Sequence, residues 1–383
     1  MTGKTIRSAL LFAALLAGGG CSGGSPAAQA RGRPFEMAQV GDFVEPWAIA
    51  FMADGRALVT EKRGGLKIWR AQGAPIDVAG APAVAYGGQG GMFDVALAPD
   101  FATSRMLYMT YAEPGPGGSG LALARATLVE SGGAARLDGF TVLWRQLPRG
   151  EGGQYGAIIA FAPDGRHLFL SSGERQRFTP AQDPDQALGK VLRLNLDGTT
   201  PPDNPMFAQG GARAQTWSTG HRNPYGLVFA PDGRLWEHEM GPRGGDELNL
   251  ILPGRNYGWP LVSNGDHYDG RDIPDHPTRP DLEAPALSWN PSVSPSGLIV
   301  YSGSMFPQWR GSGLMGALSG QALIRIAFDG ATARKADQWE MNTRIRDVAE
   351  APDGSVFLLE DGGGGSDGRL YRLTPASASR PSP

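Results

Sequence analysis

The stretch IIAFAPDGRHLFLSSGE, residues 158–174, decides the fold. Two apolar runs flank Pro163-Asp164-Gly165. Asp bonds its own backbone two residues on, and Gly supplies the positive φ of a tight reversal, so the phrase reads strand, turn, strand. The phrase recurs as IAFMADGRALVTE (49–61), VALAPDFATSRMLYMTY (95–111), LVFAPDGRLWEHE (227–239) and VAEAPDGSVFLLED (348–361). Its turn aspartates, Asp54, Asp100, Asp164, Asp232 and Asp353, are separated by 46, 64, 68 and 121 residues. The last interval is long enough for one more unit, and GLIVYSGSMFPQWRGSGLMGAL (297–318) fills it, with Phe306-Pro307 in place of Asp-Gly. Further runs rich in Val, Ile, Leu and aromatics, such as GGLKIWR (64–70) and KVLRLNL (190–196), supply additional strands. The six units predict an all-β, six-bladed β-propeller, whose radial closure leaves few sheet edges exposed. A pair of β-sandwiches with coincidental Asp-Gly turns is the alternative, and it leaves the repetition unexplained. The propeller is expected over 37–375, with a short tail at 376–383 and no second domain.

Composition narrows the partners. The 57 glycines and 31 prolines oppose a helical bundle, because both residues break helices. Nine Trp, nine Tyr and fifteen Phe oppose disorder. A net charge of −3 offers no basic surplus for nucleic acid or an anionic membrane. One cysteine excludes an internal disulfide framework and a multi-cysteine zinc site. A small molecule is the expected partner and a monomer the expected state.

The first residues read as an address. Lys4 and Arg7 precede the apolar run Ala9 to Ala17, so 1–20 is a secretory signal, too short for a membrane span. Cys21 follows Gly18-Gly19-Gly20, which resembles a bacterial lipoprotein signal in which the cysteine carries the lipid; a cysteine beside an ordinary cleavage site is the other reading. Residues 21–36 then form a tether, and the expected location is the periplasm or a lipid anchor on the cell envelope.

Four segments between the units hold the unusual chemistry. In GGQGGMFD (87–94), glycines surround Gln89, so backbone can approach a flat ligand while an amide addresses its edge; a flexible loop is the plainer reading. In GHRNPYG (220–226), Arg222 can stack on a π system or fork toward a carboxylate, or simply brace the turn. EHEMGPRGGDELNLILPGRNYGWP (237–260) offers Glu237, Glu239, Asp246 and Glu247 as hard oxygens, with carbonyls at Gly241 and Pro242, a set suited to Ca²⁺. In TRIRDVAEAPDG (343–354), alternation puts Arg344 and Arg346 on one face of a strand, as a site for an anion or as a solvated edge.

The phrases GHRNPYGLVF, GPRGGDELNLI, GRNYGWPL, PSVSPSGL, FPQW and RIRDV follow one another in the order of one family. Over roughly 37–375 the chain resembles the bacterial soluble aldose sugar dehydrogenases dependent on pyrroloquinoline quinone (PQQ), the glucose/sorbosone dehydrogenase family. The resemblance implies a six-bladed propeller with PQQ and Ca²⁺ in a cleft on one face. It implies that Gln89 bonds the quinone, that Arg222 and Asn223 lie beside its reactive carbonyl, and that Arg344 and Arg346 meet its carboxylates. Gly241 and Pro242 would give carbonyls to the cofactor Ca²⁺, and Glu247 and Tyr257 match a second, structural Ca²⁺ site. The implied reaction oxidises an aldose at the anomeric carbon to a lactone, with the electron acceptor after PQQ unspecified.

One position departs from the family. Where its general-base His is expected, the phrase GGQYGAIIAF (152–161) carries Gln154, and Ile158 replaces a following Arg. Ser319 stands where some members have Lys. Glu174 matches the carboxylate that orients the base. An amide is a poor proton acceptor at neutral pH. Three readings follow: a dehydrogenase using another base such as Glu174, a PQQ/Ca²⁺ protein with little aldose turnover, or an envelope binding module. A Ca²⁺-dependent propeller lactonase is a further alternative, disfavoured because the expected metal ligands come largely from one loop. None of the histidines is an evident substitute: His167 reads as an exposed turn residue, His238 as pointing away from Glu237 and Glu239, His267 and His276 as part of a surface excursion over 264–285, and His221 as structural or facing the cleft.

Overall fold

The structure of the protein, a computed structural model, describes residues 32–363 and 367–376. The leader 1–20, Cys21 and most of the expected tether and tail lie outside the described residues. Among those described, no helix is long and apolar enough to cross a membrane.

The repeated phrase folds as its chemistry dictates. In four of its copies the turn glycine donates to the carbonyl three residues back, Gly55 to Met52, Gly165 to Ala162, Gly233 to Ala230 and Gly354 to Ala351, at 2.8–3.0 Å. The aspartate Oδ1 accepts from the N–H two residues on, at Arg56, Arg166, Arg234 and Ser355. The four glycines sit at φ between 67° and 85°, where a Cβ is unwelcome. In the fifth copy Phe101 follows Asp100, and a short helix, Phe101–Ser104, makes the turn instead.

Among the described residues the strands form five sheets. Four have four strands each, and the fifth has eight, being two four-stranded meanders joined at their outer edges. That seam is a short parallel pairing, Val78 with Ala135 and Ala79 with Arg136. The first strands of the meanders are Pro46–Phe51, Met92–Leu97, Gly156–Phe161, Pro224–Phe229, Pro295–Val300 and Ile345–Glu350. They lie side by side and return on themselves, the last against the first, in a propeller-like ring.

Two devices hold this ring. Every first strand carries a register shift near its start: Pro46/Ala48, Met92/Val95, Gly156/Ile159, Pro224/Gly226, Ser296/Leu298 and Ile345/Asp347. Bulges bend a strand and re-aim its side chains, and here they gather at one end of the ring. Each junction is also stitched by at least one side chain. Thr60 donates to Phe93 O, Thr110 to Ala157 O, Ser171 to Pro224 O, His238 to Ser296 O and Ser296 to Ile345 O, while Asp347 accepts from Ile49 N. His238 therefore turns away from Glu237 and Glu239, as alternation required. Burial lowers its pKa to about 3, so it serves as a neutral donor.

The ring is closed by the first and last described strands. Phe35–Asp42 pairs antiparallel with Arg369–Pro375, from Phe35↔Pro375 to Asp42↔Arg369. The strand takes Phe35 and Glu36 from the expected tether, because Phe35 is buried edge-on to Trp309 and Trp339 at 5.8 and 5.5 Å. Covering one such ring stabilises the closure by roughly 1.5–3 kcal/mol.

Candidate active site

The bulged ends of the first strands, with the loops entering them, enclose a cleft of about 300 Å³. Gln89, Asn223, Tyr225, Lys62, Arg344 and Arg346 line it. A larger cavity of about 700 Å³ runs between the first strands past Asp94 and Asp347. Trp47 and Tyr225 line both spaces, meeting edge to face at 5.8 Å, and so form a floor between them. The smaller cleft is the chemically armed one.

Its anion-binding wall is built on Asp361. Arg344 Nε donates to Asp361 Oδ2 at 2.9 Å, and Arg346 Nη2 donates to Oδ1 at 2.9 Å. The two arginines thus share a face, as their spacing predicted. Burial alone would raise the Asp361 carboxyl, but Arg346 and Arg344 outweigh it and hold the pKa below the usual value. Lys62 adds a third cation, its Nζ donating to Gly88 O at 3.2 Å. Burial, then repulsion from Arg346, lowers its pKa. Three cations stand against two carboxylates, Asp361 and a Glu45 already paired with Arg63, which leaves this wall short of negative charge.

Behind Gln89 and Asn223, which line the cleft, runs a chain of buried contacts. Glu174 is 1 % exposed. Its Oε2 accepts from the N–H groups of Arg177 and Phe178, and burial raises its pKa despite them. Gln154 lies between Glu174 and Arg222: its amide donates to Glu174 Oε1 and accepts from Arg222 Nη2 at 2.8 Å. The Gln154 N–H in turn donates to Gln89 Oε1 at 2.6 Å. The backbone here is strained, with Gln154, Arg175, Gln176 and Phe178 at φ between 52° and 64°. Left-handed non-glycine residues cost of order 1–3 kcal/mol each and cluster at functional sites.

Arg222 is 5 % exposed, and its guanidinium is fixed on three sides. Nη1 donates to Met240 O at 2.9 Å and Gly241 O at 2.8 Å, and Nη2 donates to Tyr268 Oη at 3.2 Å. It also lies over the Trp259 ring, 5.2 Å from the centroid. Glu239 Oε2 accepts from the backbone N–H groups of Arg222 and Asn223, which sets the loop. Asn223 Oδ1 accepts from Gly156 N at 3.3 Å.

The glycine-rich loop is packed backbone to backbone. A Cβ on Gly241 would fall 2.2 Å from Gly244 O, so only glycine fits. Asp246, a candidate oxygen ligand by sequence, braces this loop instead, accepting from Gly241 N as well as from Ser292 Oγ, Val293 N and Ser294 N. Glu247 and Tyr257 line one small cavity of about 10 Å³ with Glu239. The Tyr257 hydroxyl is engaged by Leu250 O and Leu252 N, while Glu247 Oε1 meets His276 Nε2 at 3.1 Å. Pro242 is buried beside Gly241. Ser319 bonds Ser294 Oγ at 2.8 Å.

Two histidine readings need correction. His276 is not a surface residue: at 4 % exposure it pairs with buried Glu247. His167 begins a strand, with 13 % of its side chain exposed, held by Asp164 Oδ2 at 2.8 Å. Sequence reasoning also passed over Lys62, Asp361, Trp259 and Tyr268. Lys62 and Asp361 each directly follow a second strand, Ala57–Glu61 and Val356–Glu360, so the repeat itself marked their end of the ring. Tyr268 sits in a segment with no repeat to register it.

The donor set fits the groups that the motifs imply. Lys62, Arg344 and Arg346 suit a planar tricarboxylate, and the amides of Gln89 and Asn223 address polar edges. The Gly241 carbonyl already faces a cation, Arg222, as a Ca²⁺ ligand would. The family described as Glucose / Sorbosone dehydrogenase matches residues 43–372. The chain belongs to the glucose/sorbosone dehydrogenase family. It is 38 % identical over 339 residues to aldose sugar dehydrogenase YliI of Escherichia coli K12, covering 86 % of this chain and 90 % of that one. The crystal structure of the soluble aldose sugar dehydrogenase from Escherichia coli in the apo form superposes with a TM-score of 0.82 at 36 % identity, over 89 % of this chain and all of the other. The PQQ-bound aldose sugar dehydrogenase of Streptomyces coelicolor superposes at 0.71 and 28 % identity, over 89 % of this chain and 98 % of that one. Membership in this glucose/sorbosone dehydrogenase family agrees with the motifs at the cleft.

Proposed function

We propose that the protein is a six-bladed propeller of the bacterial cell envelope that oxidises an aldose, or a related alcohol, at the anomeric carbon to a lactone, with PQQ as cofactor and Ca²⁺ assisting. The observation that carries this reading is the convergence of Lys62, Arg344, Arg346, Gln89 and Asn223 on one cleft. The family and its PQQ-bound relative support it. When bound, PQQ supplies a two-electron acceptor and Ca²⁺ a Lewis acid.

The residues of the chain do the rest. Arg344, Arg346 and Lys62 hold the cofactor carboxylates, and Gln89 and Asn223 fix its orientation. Trp47 and Tyr225 floor the cleft and keep water out from below. Gly241 and Pro242 offer carbonyl oxygens to Ca²⁺. Arg222 would offer its one unengaged donor, Nε–H, to the oxygen that becomes negative, an oxyanion role. Glu174 is the base. Two backbone N–H groups fix its Oε2, and Oε1 takes the substrate proton on the side that Gln154 covers. Gln154 orients the substrate hydroxyl toward that oxygen and moves no net proton itself.

The test adds PQQ and Ca²⁺ to purified protein and follows dye reduction across a panel of aldoses and alcohols. Saturable reduction requiring both additions is expected. Tight PQQ binding without turnover would leave a cofactor-binding protein, and failure to bind PQQ would overturn the reading. Lactone hydrolysis by metal-loaded, quinone-free protein would assign it to the hydrolases.

A further inference from the structure

Beneath the Arg222 loop lies a second polar cluster that the sugar chemistry does not use. Strand Leu235–Glu239 carries Glu237 and Glu239, and alternation turns both to the face opposite His238. There they meet His221, whose Nδ1 is 3.1 Å from Glu239 Oε1 and 3.9 Å from Glu237 Oε2. One donor atom from each of the three lies within 4.8 Å of the others. His221 and Glu237 are 0 % exposed, and Glu239 is 3 % exposed.

The protein leaves this cluster incomplete. Asn249, opposite Glu237 in the register, donates from Nδ2 to Glu237 Oε2 at 3.1 Å and to Glu247 Oε2 at 3.4 Å. Among the described residues, no Lys or Arg side chain pairs with Glu237 or Glu239; their ion-pair partner is His221. Buried carboxylates without a counter-charge are costly. Moreover, Glu237 Oε1 and Asn249 Oδ1 are buried with no hydrogen-bond partner. Both are oxygens, and both require a positive or donating group. His221 is oriented as a ligand is: Nε2 is held by Ser218 Oγ at 2.8 Å, which leaves Nδ1 to the carboxylates.

We propose that His221 Nδ1, Glu237 and Glu239 form a binding site for a divalent transition ion, Zn²⁺ or Mn²⁺, separate from the Gly241 and Pro242 carbonyls. One imidazole with two carboxylates favours these ions over Ca²⁺, which prefers an all-oxygen shell. With metal–ligand bonds near 2.0–2.2 Å, the ligand-to-ligand edge of a tetrahedron is about 3.3–3.6 Å. The two separations from His221, 3.1 and 3.9 Å, bracket that edge, and all three donor atoms lie within 4.8 Å of one another. Through Glu239 Oε2 the ion would be tied to the backbone of Arg222 and Asn223, making it a positioning element for the loop.

The test needs neither PQQ nor sugar. Protein stripped with EDTA is dialysed against Zn²⁺ or Mn²⁺ in excess Ca²⁺, which fills oxygen sites, and bound metal is counted by mass spectrometry alongside the melting temperature. One tightly held equivalent per chain and a raised melting temperature are expected. Glu237→Gln, close to isosteric, should weaken binding at least tenfold and abolish the melting shift, and His221→Gln should do the same. Wild-type protein that takes up no Zn²⁺ or Mn²⁺ overturns the proposal, whatever the variants do. Undiminished binding by folded Glu237→Gln overturns it too. Because the readout is metal content, the site can fail while aldose oxidation stands, or the reverse.

Discussion

Arg222 donates through Nη1 to the Gly241 carbonyl oxygen at 2.8 Å. The guanidinium therefore rests on the oxygen proposed for Ca²⁺, and the two cations share one acceptor. Removing the side chain frees that oxygen and deletes the donor for the developing negative charge. Arg222→Ala should bind Ca²⁺ more tightly in calorimetric titration without PQQ. Its dye-linked turnover should fall by about 10²–10³-fold, the scale of a lost oxyanion donor. Unchanged Ca²⁺ affinity would show that the carbonyl is not shared.

Gln154 separates the buried Glu174 carboxylate from Arg222. An imidazole at this position could take a proton from the cleft and be oriented by Glu174. Gln154→His should raise aldose kcat/KM at least tenfold, since a positioned base contributes about 10²–10⁴-fold. A rate at the wild-type level would mean that the cleft is shaped for a substrate whose hydroxyl does not reach residue 154.

Arg344 and Arg346 converge on Asp361 with an excess of charge for the ligand. Charge-assisted hydrogen bonds contribute about 1.5–3 kcal/mol each. The double variant Arg344→Gln/Arg346→Gln should therefore weaken PQQ binding at least a hundredfold in fluorescence titration. It should fold with some loss of stability, because each Gln keeps a donor for the buried Asp361 carboxylate but removes its counter-charge.

Two pH dependences follow from burial. The Glu174 pKa is raised, so its base form fills in only above the ordinary carboxylate range, and kcat/KM should climb with pH through that raised value and then level off. Glu174→Gln should erase this limb. For stability, burial raises Asp347 to about 7. A carboxyl whose folded pKa exceeds its unfolded value gives its full stabilisation below about pH 4 and loses it as pH rises toward 7. Melting temperature measured from pH 4 to 8 should show this decline, and Asp347→Asn should flatten it.

The ring was legible because its turns are local chemistry: Asp164-Gly165 needs only its own backbone to reverse the chain. The parallel seam of Val78 and Ala79 with Ala135 and Arg136 was not, since edge pairing depends on where two meanders happen to lie. At the site, alternation was enough to place Arg344 and Arg346 together. Their partner Asp361 is fifteen residues from Arg346 and required the fold to find it. His276 was misread as surface because Pro- and Asp-rich composition describes a segment's average, while one side chain can still reach a buried Glu247.

The pairing of Phe35–Asp42 with Arg369–Pro375 has a mechanical consequence. Being antiparallel, with Phe35 opposite Pro375, it brings the start of the first strand and the end of the last to the same end of the seam. A pull between those ends would peel the two strands apart one rung after another instead of shearing all rungs at once. Attachment to an electrode or a bead should therefore use one side of this seam only, because a load carried between Phe35 and Pro375 would open the pairing rung by rung.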